Sequence, residues 1–445
     1  MNDKLWKYIG LIPMVCWIVI PLTGQDKIRL DREVDLVSIG YGWSRNSVNA
    51  TIFRKNSIVS DDQFQYVAFY DTAQFLTLAK RKLKSRAFEV KQTAYQGNAT
   101  DAHNSISIIL DSEGFLHVAW DHHNGPLKYL RSVSPHSLEL TEPMLMTGKN
   151  ESRITYPEFY KIPNGDLLFM YRNGESGNGE LVINRYNQST KSWRTVQENL
   201  IDGQGDRNAY WQAYVDRFGV IHLSWVWRET WDVATNHDLC YAKSEDGGVT
   251  WEKSTEEKYV LPITVKSAEL AWLIPQKSEL VNQTSMTVDS KGSPLIATYW
   301  SPPDTNIPQI QLVYYDGNEW KKQTISKRTI PFSLSGGGTK RIPISRPQVI
   351  YQNLKRKEMI GVIFRDEDGK PVMLSSRDFP FSKWQQTTLA NLDLGLWEPS
   401  YDTELWDRSQ DLNLFIQRVD QIDGEGLSMI EREMVKILEC KPFEN

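Results

Sequence analysis

The chain of 445 residues is 40% hydrophobic and 11% aromatic, which is enough apolar material for a large buried core. Its formal net charge of −5 provides no basic field for nucleic acid, so we exclude that class of partner. The three cysteines match neither a disulfide framework nor a metal-ligand spacing, although Cys240 and Cys440 could form one disulfide.

The first 24 residues have the layout of a secretory signal peptide. Two lysines precede an apolar run at residues 9–22, and small and polar residues follow around Gly24. The run is shorter than the ~20 residues that a membrane-spanning helix needs. We therefore expect cleavage near Gly24, a mature chain of residues 25–445 with no membrane span, and a secreted, periplasmic or cell-surface location. An uncleaved anchor and lipidation at Cys16 are the weaker alternatives.

One phrase recurs along the rest of the chain: a turn, then alternating apolar residues that end in an aromatic or charged residue. Four clear and three looser copies lie at Gly114, Gly165, Gly219, Gly292, Asp61, Arg356 and Ser409. The period-two alternation indicates β-strands, and each unit is long enough for four of them. Seven units predict an all-β fold, a seven-bladed β-propeller that forms one domain over residues 25–445. An irregular array of β-sandwiches is the alternative.

A later turn in several units ends in tryptophan, and one of these turns is a complete Asp-box, S-x-D-x-G-x-T-W, from Ser244 to Trp251. Its aspartate and glycine suit a tight hairpin, and its tryptophan can pack between neighbouring sheets. The box therefore indicates architecture, not chemistry. The segment MIEREMVKILE, residues 429–439, is the one helix-like stretch after the signal peptide.

Polar side chains end the repeated phrase and occupy the loops before it, where the blades of a propeller converge on its central channel. The candidates for a site there are His103, His122, His123, Tyr156, Arg172, Arg207, Tyr210 and Arg228. A cluster of His, Tyr and Arg suits removal of a proton next to a carboxylic acid, as in β-elimination of a uronic acid. Glycoside hydrolysis instead needs two carboxylates that flank the bond, and no spacing selects such a pair.

Other features have a structural interpretation. His117 and His222 occupy the same place in two repeats, between apolar strand residues, so we expect them to be structural. His122 points away from His123 if the strand continues, which makes it a packing residue. Pro157 predicts an extended backbone at Tyr156.

Two further segments suggest ligand contacts. The pattern D-x-H…D-H-H could hold zinc or calcium, but no HExxH or paired CxxC supports a catalytic metal, so we expect no required cofactor and allow for a structural calcium ion. The glycine-rich loop SGGGTKR, residues 335–341, lacks the spacing of a phosphate-binding loop. We expect it to bring Lys340, Arg341 or Arg346 to an anionic sugar.

The motifs DAHN, DHH, ITYPEF, FMYRNG, RNAYWQ, SLSGGGTKRIPISRPQ and WEPSYDTELW together resemble the secreted BNR-repeat propellers of polysaccharide-degrading bacteria. That group includes seven-bladed ulvan lyases and enzymes that act on rhamnose linked α-1,4 to glucuronic acid. The resemblance implies that His103 and Tyr156 handle protons, that His123 and Arg172 hold the substrate carboxylate, and that a further site tyrosine falls on Tyr210. It leaves open which of His103 and Tyr156 is the base.

The resembling group contains α-L-rhamnosidases as well as lyases, and in the hydrolases it implies an essential histidine in the first blade, on the opposite face. No histidine precedes His103 in this chain. We therefore predict a monomeric polysaccharide lyase that cleaves α-L-rhamnose-(1,4)-glucuronate linkages of acidic, arabinogalactan-type polysaccharide by β-elimination. The alternatives are an α-L-rhamnosidase on the same linkage, a catalytically silent carbohydrate-binding propeller and, third, a sialidase.

Overall fold

The computed structural model describes residues 34–52, 56–354 and 357–443. The predicted signal peptide, residues 1–24, lies outside these residues and stays a prediction, as does the domain boundary at residue 25. The described residues form seven antiparallel sheets arranged as the blades of a β-propeller. The predicted fold class is therefore confirmed.

The first four blades follow one another along the chain. Blade 1 contains β2 (Ile58–Ser60), β3 (Phe64–Tyr70), β4 (Phe75–Lys82) and β5 (Glu89–Gln96). Blade 2 contains β6 (Ile106–Leu110), β7 (Leu116–Trp120) and β9 (Tyr129–Arg131). Blade 3 contains β8 (His123–Gly125), β10 (Ile154–Lys161), β11 (Leu167–Glu175), β12 (Asn178–Asn187) and β13 (Ser192–Gln197). Blade 4 contains β14 (Asn208–Val215), β15 (Ile221–Arg228), β16 (Asn236–Ser244) and β17 (Glu269–Trp272).

The remaining blades complete the ring. Blade 5 contains β18 (Ser285–Val288), β19 (Pro294–Trp300), β20 (Gln309–Tyr315) and β21 (Trp320–Thr324). Blade 6 contains β22 (Gln348–Leu354), β23 (Lys357–Arg365), β24 (Pro371–Arg377) and β25 (Gln385–Thr388). Blade 7 contains β26 (Ser400–Tyr401), β27 (Leu412–Ile416), β28 (Glu433–Cys440) and β1 (Asp35–Gly42). The ring closes inside blade 7, where β1 pairs antiparallel with β28.

The prediction of a helix at residues 429–439 is wrong. Residues 433–440 form β28, which is hydrogen-bonded on both sides, to β1 and to β27, and buries Val435, Ile437 and Leu438. Pairing in the sheet overrides the helical propensity of the segment. The α-helix of the described residues is α1 (Thr403–Ser409), and the Asp402 side chain caps it by accepting a hydrogen bond from the Leu405 amide, 3.0 Å away.

Each copy of the repeated phrase forms the second strand of a blade. The two structural histidines are confirmed and have the same contacts in blades 2 and 4. His117 Nδ1 lies 2.6 Å from the Tyr129 hydroxyl, and His222 Nδ1 lies 2.7 Å from the Tyr241 hydroxyl. His117 Nε2 lies 3.5 Å from Asp111, and His222 Nε2 lies 3.5 Å from Asp216. Each aspartate belongs to the turn that precedes the strand of its histidine.

The Asp-box also has its expected role. The Asp246 carboxylate accepts hydrogen bonds from the amides of Val249 and Thr250, which closes the turn. Trp251 is 1% exposed and packs with Ile183 of blade 3 and Ile221 of blade 4. The box thus joins two blades, and its residues line neither cavity of the ring.

The structure also bears on a possible disulfide and a possible membrane span. Neither Cys240 nor Cys440 is in a disulfide, so the one bridge that the sequence allowed is not formed. Among the described residues, no helix combines the length and the apolar character that crossing a membrane requires.

The first strand of each blade is the innermost one, and neighbouring innermost strands contact each other from β2 to β22. Two cavities lie at opposite ends of these strands. One is lined by residues at or before the starts of β10, β14, β18 and β22, and we call it the entry cavity. The other is lined by residues at their far ends, and we call it the exit cavity.

Candidate functional site

The entry cavity has a volume of about 400 Å³ and collects most of the residues that the sequence nominated. Six of the eight candidates line it: His103, His123, Tyr156, Arg172, Tyr210 and Arg228. They come from blades 2, 3 and 4, because the starts of inner strands and the ends of second strands meet on one face of the ring.

His123 reaches the cavity through a change of sheet. The chain leaves blade 2 after β7, and β8 then pairs with β10 of blade 3, where His123 lies opposite Thr155. Asp121 and Asn124, on either side, have positive φ angles of 63° and 55°, a conformation that Asp and Asn tolerate better than most residues. The strand exchange places His123 beside Tyr156, with the ring centroids 6.5 Å apart.

Tyr156 lies in a β-bulge. The register of β10 with β11 shifts between Thr155 and Glu158, and Tyr156 has a φ of 53°. The prediction of an extended backbone at Tyr156 is therefore wrong. The bulge overrides the preference for an extended conformation that a residue before proline normally has. A left-handed conformation is rare for a bulky aromatic residue and concentrates at functional sites.

One carboxylate holds both cavity histidines. Asp101 Oδ1 lies 2.7 Å from His103 Nδ1, and Asp101 Oδ2 lies 2.6 Å from His123 Nδ1. The two imidazoles stack with centroids 4.3 Å apart. Burial of Asp101 opposes its ionisation, but the hydrogen bonds from the two histidines outweigh it and hold its pKa well below the usual range.

Two buried arginines form the opposite wall. Arg172 and Arg228 are 3% and 7% exposed, and in the ranges that the structure describes neither forms an ion pair with a carboxylate. Arg172 Nη1 and Arg228 Nε have no hydrogen-bond partner among the described residues. Removing a guanidinium from water without an anion is costly, so this pair is built to receive one.

Gly179 makes room for the first of these arginines. A Cβ at Gly179 would lie 2.8 Å from Arg172 Cγ, which is closer than side chains pack. The glycine in β12 thus lets the aliphatic part of Arg172 cross the strand and fixes the direction of its guanidinium.

The two cavity tyrosines have opposite electrostatic environments. Burial raises the pKa of Tyr156 above its usual value, and nearby Tyr210 raises it further. Burial acts in the same direction on Tyr210, but Arg228 and Arg172 outweigh it and lower the pKa of Tyr210 to about 8. Arg228 Nη1 donates a hydrogen bond to the Tyr210 hydroxyl at 3.1 Å. Tyr156 therefore keeps its proton, whereas Tyr210 is an unusually acidic phenol.

Two of the eight candidates do not line the cavity. His122 is fully buried, and its Nε2 accepts a hydrogen bond from the Lys128 amide, so it is the packing residue that strand alternation indicated and not a substrate ligand. Burial, followed by the charge of Lys128, lowers the pKa of His122 to about 3. Arg207 Nε donates to both carboxylate oxygens of Glu229, which engages its charge outside the cavity.

The glycine-rich loop forms one edge of the entry cavity and supports Trp231. A Cβ at Gly337 would lie 2.8 Å from the Trp231 ring, so only glycine lets the loop approach it. Of the three predicted cations, Lys340 and Arg346 line the cavity, but Arg346 forms a bidentate pair with buried Glu398. Arg341 lies outside the entry cavity, where it pairs with Asp420.

Asp101, His103 and His123 also form a group of donors that could hold a metal ion, with their ligand atoms within 4.8 Å of one another. Two imidazoles and one carboxylate suit zinc better than calcium, which prefers oxygen. The expected structural calcium thus stays a prediction with no matching oxygen cluster among the described residues.

Sequence reasoning missed Trp231 and the role of Asp101. The Trp231 indole is 66% exposed at the cavity mouth, and nothing in the surrounding WVWRETW pattern separates it from the buried Trp225 and Trp227. Asp101 stands two residues before His103, which is the spacing at which an aspartate side chain closes a local turn. This spacing could have predicted the contact between the two residues.

The exit cavity has a volume of about 480 Å³, and its lining includes Lys161, Tyr214, Glu404 and Asp407 but no histidine. Solvent still reaches Asp407, yet desolvation by the surrounding protein and the adjacent Glu404 raise its pKa to about 7.

The family model of the BNR repeat-containing family matches residues 64–328, which run from β3 to the end of blade 5 and include every side chain of the histidine, tyrosine and arginine cluster. The chain belongs to that family. It has 22% identity over 340 residues to the ulvan lyase of Nonlabens ulvanivorans, covering 67% of this chain and 69% of that protein. It has 29% identity over 157 residues to the long isoform of ulvan lyase from Alteromonas sp. (strain LOR), covering 26% of this chain.

The chain spans 16% of the length of the Alteromonas relative, so it matches one region of a longer protein. Among solved structures it is similar to the polysaccharide lyase PL25 ulvan lyase bound to -[GlcA(1-4)Rha3S]-, with a TM-score of 0.69 and 15% identity. That match covers 91% of this chain and 96% of the other, and it shows the fold that the two share.

Proposed function

We propose that this BNR-family propeller is a polysaccharide lyase that cleaves a uronic acid linkage by β-elimination at the entry cavity. The observation that carries the proposal is the pair of buried arginines, Arg172 and Arg228, which have no carboxylate partner in the described residues and flank an acidic tyrosine. A uronate carboxylate supplies the missing anion. The similarity to ulvan lyases supports the same reaction class.

The residues divide the reaction as follows. Arg172 and Arg228 bind the C6 carboxylate, and the Tyr210 hydroxyl donates a hydrogen bond to the charge that develops on it. His103 takes the C5 proton through Nε2, the C4–O bond breaks, and a C4=C5 double bond forms. Tyr156, which keeps its proton, gives it to the departing oxygen.

The carboxylates of the cavity do not suit hydrolysis. Of the acids in the described ranges, Glu425 is the one that lines the entry cavity, and its side chain is 56% exposed. Asp101 is held by two histidines. A glycosidase needs two carboxyl groups on either side of the bond, so this face favours elimination.

We propose that the substrate is α-L-rhamnose linked 1,4 to glucuronate at the ends of acidic, arabinogalactan-type chains. We also propose that the enzyme is secreted and reaches this polysaccharide outside the cell. The cavity, at about 400 Å³, accommodates a short chain end better than a long polymer. The exposed Trp231 at its rim suits a sugar with one apolar face, whereas Lys340, which also lines the cavity, is paired with Asp423 at 2.6 Å.

The test is to incubate the protein with a rhamnose-capped glucuronide and to follow ultraviolet absorbance of the unsaturated uronate together with free rhamnose. We expect both signals to rise in equal amounts. Rhamnose without absorbance would mean hydrolysis, and neither signal despite retained affinity would mean a carbohydrate-binding propeller. Ulvan fragments, tested in parallel, separate the two candidate glycans.

Hydrolysis is the second candidate function, because two carboxylic acids, Glu404 and Asp407, line the exit cavity, and the pKa of Asp407 is raised. The two cavities are separable by mutation. If rhamnose is released and Asp407→Asn stops it while Tyr210→Phe does not, the exit cavity carries the activity.

Trp231 is expected to contribute binding without chemistry. Trp231→Ala should raise KM roughly 10-fold, equivalent to about 1.4 kcal/mol, with little change in kcat, because an exposed indole covers the apolar face of a sugar. Initial rates over a range of substrate concentrations measure this. Phe218→Ala, which removes an aromatic residue that is 68% exposed at the exit cavity, is the control and should leave KM unchanged.

A further inference from the structure

Asp101 holds the two cavity histidines through their corresponding atoms. Oδ1 faces His103 Nδ1 at 2.7 Å and Oδ2 faces His123 Nδ1 at 2.6 Å, so both oxygens of one carboxylate are used. An aspartate is ionised at neutral pH, and an ionised carboxylate only accepts hydrogen bonds. Both Nδ1 atoms therefore carry a hydrogen, and the second nitrogen of each ring, Nε2, is left for other partners.

This arrangement directs the rings towards the cavity. His103 Nε2 lies 3.5 Å from the hydroxyl of Thr339, a lining residue, and the two stacked rings lie 6.1 Å and 6.5 Å from the Tyr156 ring. A neutral imidazole can remove a proton only through an unprotonated nitrogen. The Nδ1–H form is the one in which Nε2 serves that purpose at His103.

We propose that Asp101 is a positioning residue that fixes the tautomer and orientation of both His103 and His123, so that one carboxylate aligns the base and its neighbour as a unit. The catalytic consequence rests on the proposed lyase function, but the tautomer assignment does not. Asp101 also closes a local turn, because Oδ1 accepts the His103 backbone amide at 2.9 Å. If Asp101 had only a structural role, closing this turn would be its whole function.

Asp101→Asn separates the two roles because it is nearly isosteric. At the Oδ1 position two donors converge, the His103 amide and His103 Nδ1, so the asparagine oxygen takes that place. The amide NH₂ then faces His123 Nδ1, which must become an acceptor. The turn and His103 are preserved, whereas His123 changes to the Nε2–H form.

The experiment is nitrogen-15 NMR of the full chain labelled at its seven histidines, with His103→Gln and His123→Gln to assign the signals. We expect Nδ1–H forms at both positions in the wild type. In Asp101→Asn we expect the tautomer of His123 alone to change. We expect the lyase kcat to fall at least 10-fold, because a neutral amide no longer stabilises the imidazolium that His103 becomes when it takes the C5 proton. Glu229→Gln, which alters the carboxylate that lies 2.7 Å from His237 Nε2 outside the cavity, is the control and should change neither.

Three outcomes would overturn the inference: an Nε2–H form at His103 in the wild type, unchanged His123 signals in Asp101→Asn, or activity that chelation abolishes and zinc restores. The last would mean that a metal ion, not hydrogen bonds, joins the three side chains. If the tautomers behave as expected but the wild type does not cleave a glucuronide, the proposed function fails and the positioning role of Asp101 stands.

Discussion

Tyr210→Phe is expected to lower kcat about 10²–10³-fold, the effect of removing one donor from a preorganised charge-binding site. The variant loses the hydroxyl that Arg228 contacts at 3.1 Å and keeps the ring between the two arginines. Because Tyr210 must hold its proton to donate it, and its pKa is about 8, kcat/KM of the wild type should fall above about pH 8. Tyr210→Phe should lack that fall.

Tyr214→Phe is the matched control, since Tyr214 lies on the same strand but lines the exit cavity, and it should retain full activity. The stability readout has a defined sign. The pKa of Tyr210 is lower in the folded chain than the ordinary value of 10, so its contribution to the free energy of unfolding increases from pH 8 to 10 and is absent below pH 8. Equal pH dependence of stability in the wild type and Tyr210→Phe would contradict the assignment.

Arg172→Met is expected to reduce kcat/KM at least 100-fold without lowering the melting temperature. The variant removes a buried guanidinium that has no carboxylate partner in the described residues, so the folded state loses a desolvated charge and keeps an apolar chain of similar length. Thermal unfolding and initial rates measure the two effects. Tyrosinate absorbance should also titrate at higher pH than in the wild type, because Arg172 is one cause of the lowered pKa of Tyr210.

Arg346→Met supplies the contrast within the same cavity. Arg346 forms a bidentate pair with Glu398, which is 3% exposed, so its removal leaves a buried carboxylate without its cation and should destabilise the fold by about 3–5 kcal/mol. The Ile52 amide, 2.7 Å from Glu398 Oε2, remains as a hydrogen-bond donor but does not neutralise the charge. If both variants lost stability equally, Arg172 would be a structural residue and the anion site would be misassigned.

The repeated phrase was sufficient to predict the ring, because strand alternation and turn residues are local and the same geometry recurs in every blade. It was also sufficient to place Arg172 and Arg228, which lie near or at the ends of second strands in successive blades. The symmetric contacts of His117 and His222 followed from their equal positions in two repeats.

The features of the site that the sequence did not predict are departures from the repeat. The pairing of β8 with the next blade joins segments about 30 residues apart, and the bulge that turns Tyr156 interrupts the pairing of β10 with β11, its neighbour in the chain. The acidity of Tyr210 depends on two arginines from different blades. The helix-like segment became β28 because β1, nearly 400 residues earlier in the chain, pairs with it.

That last pairing has a consequence for how the protein folds. Asp35 pairs with Glu439, so the seam of the ring joins the two ends of the described chain. Such a contact has almost the greatest sequence separation available, and the entropy of closing so long a loop must be overcome before the contact forms. Blades 1 to 6 can form as they emerge from the ribosome, but the circle is completed only after β28 has been synthesised. Until then β1, the outer strand of blade 7, lacks its neighbouring strand β28. Its exposed edge can pair incorrectly with another chain.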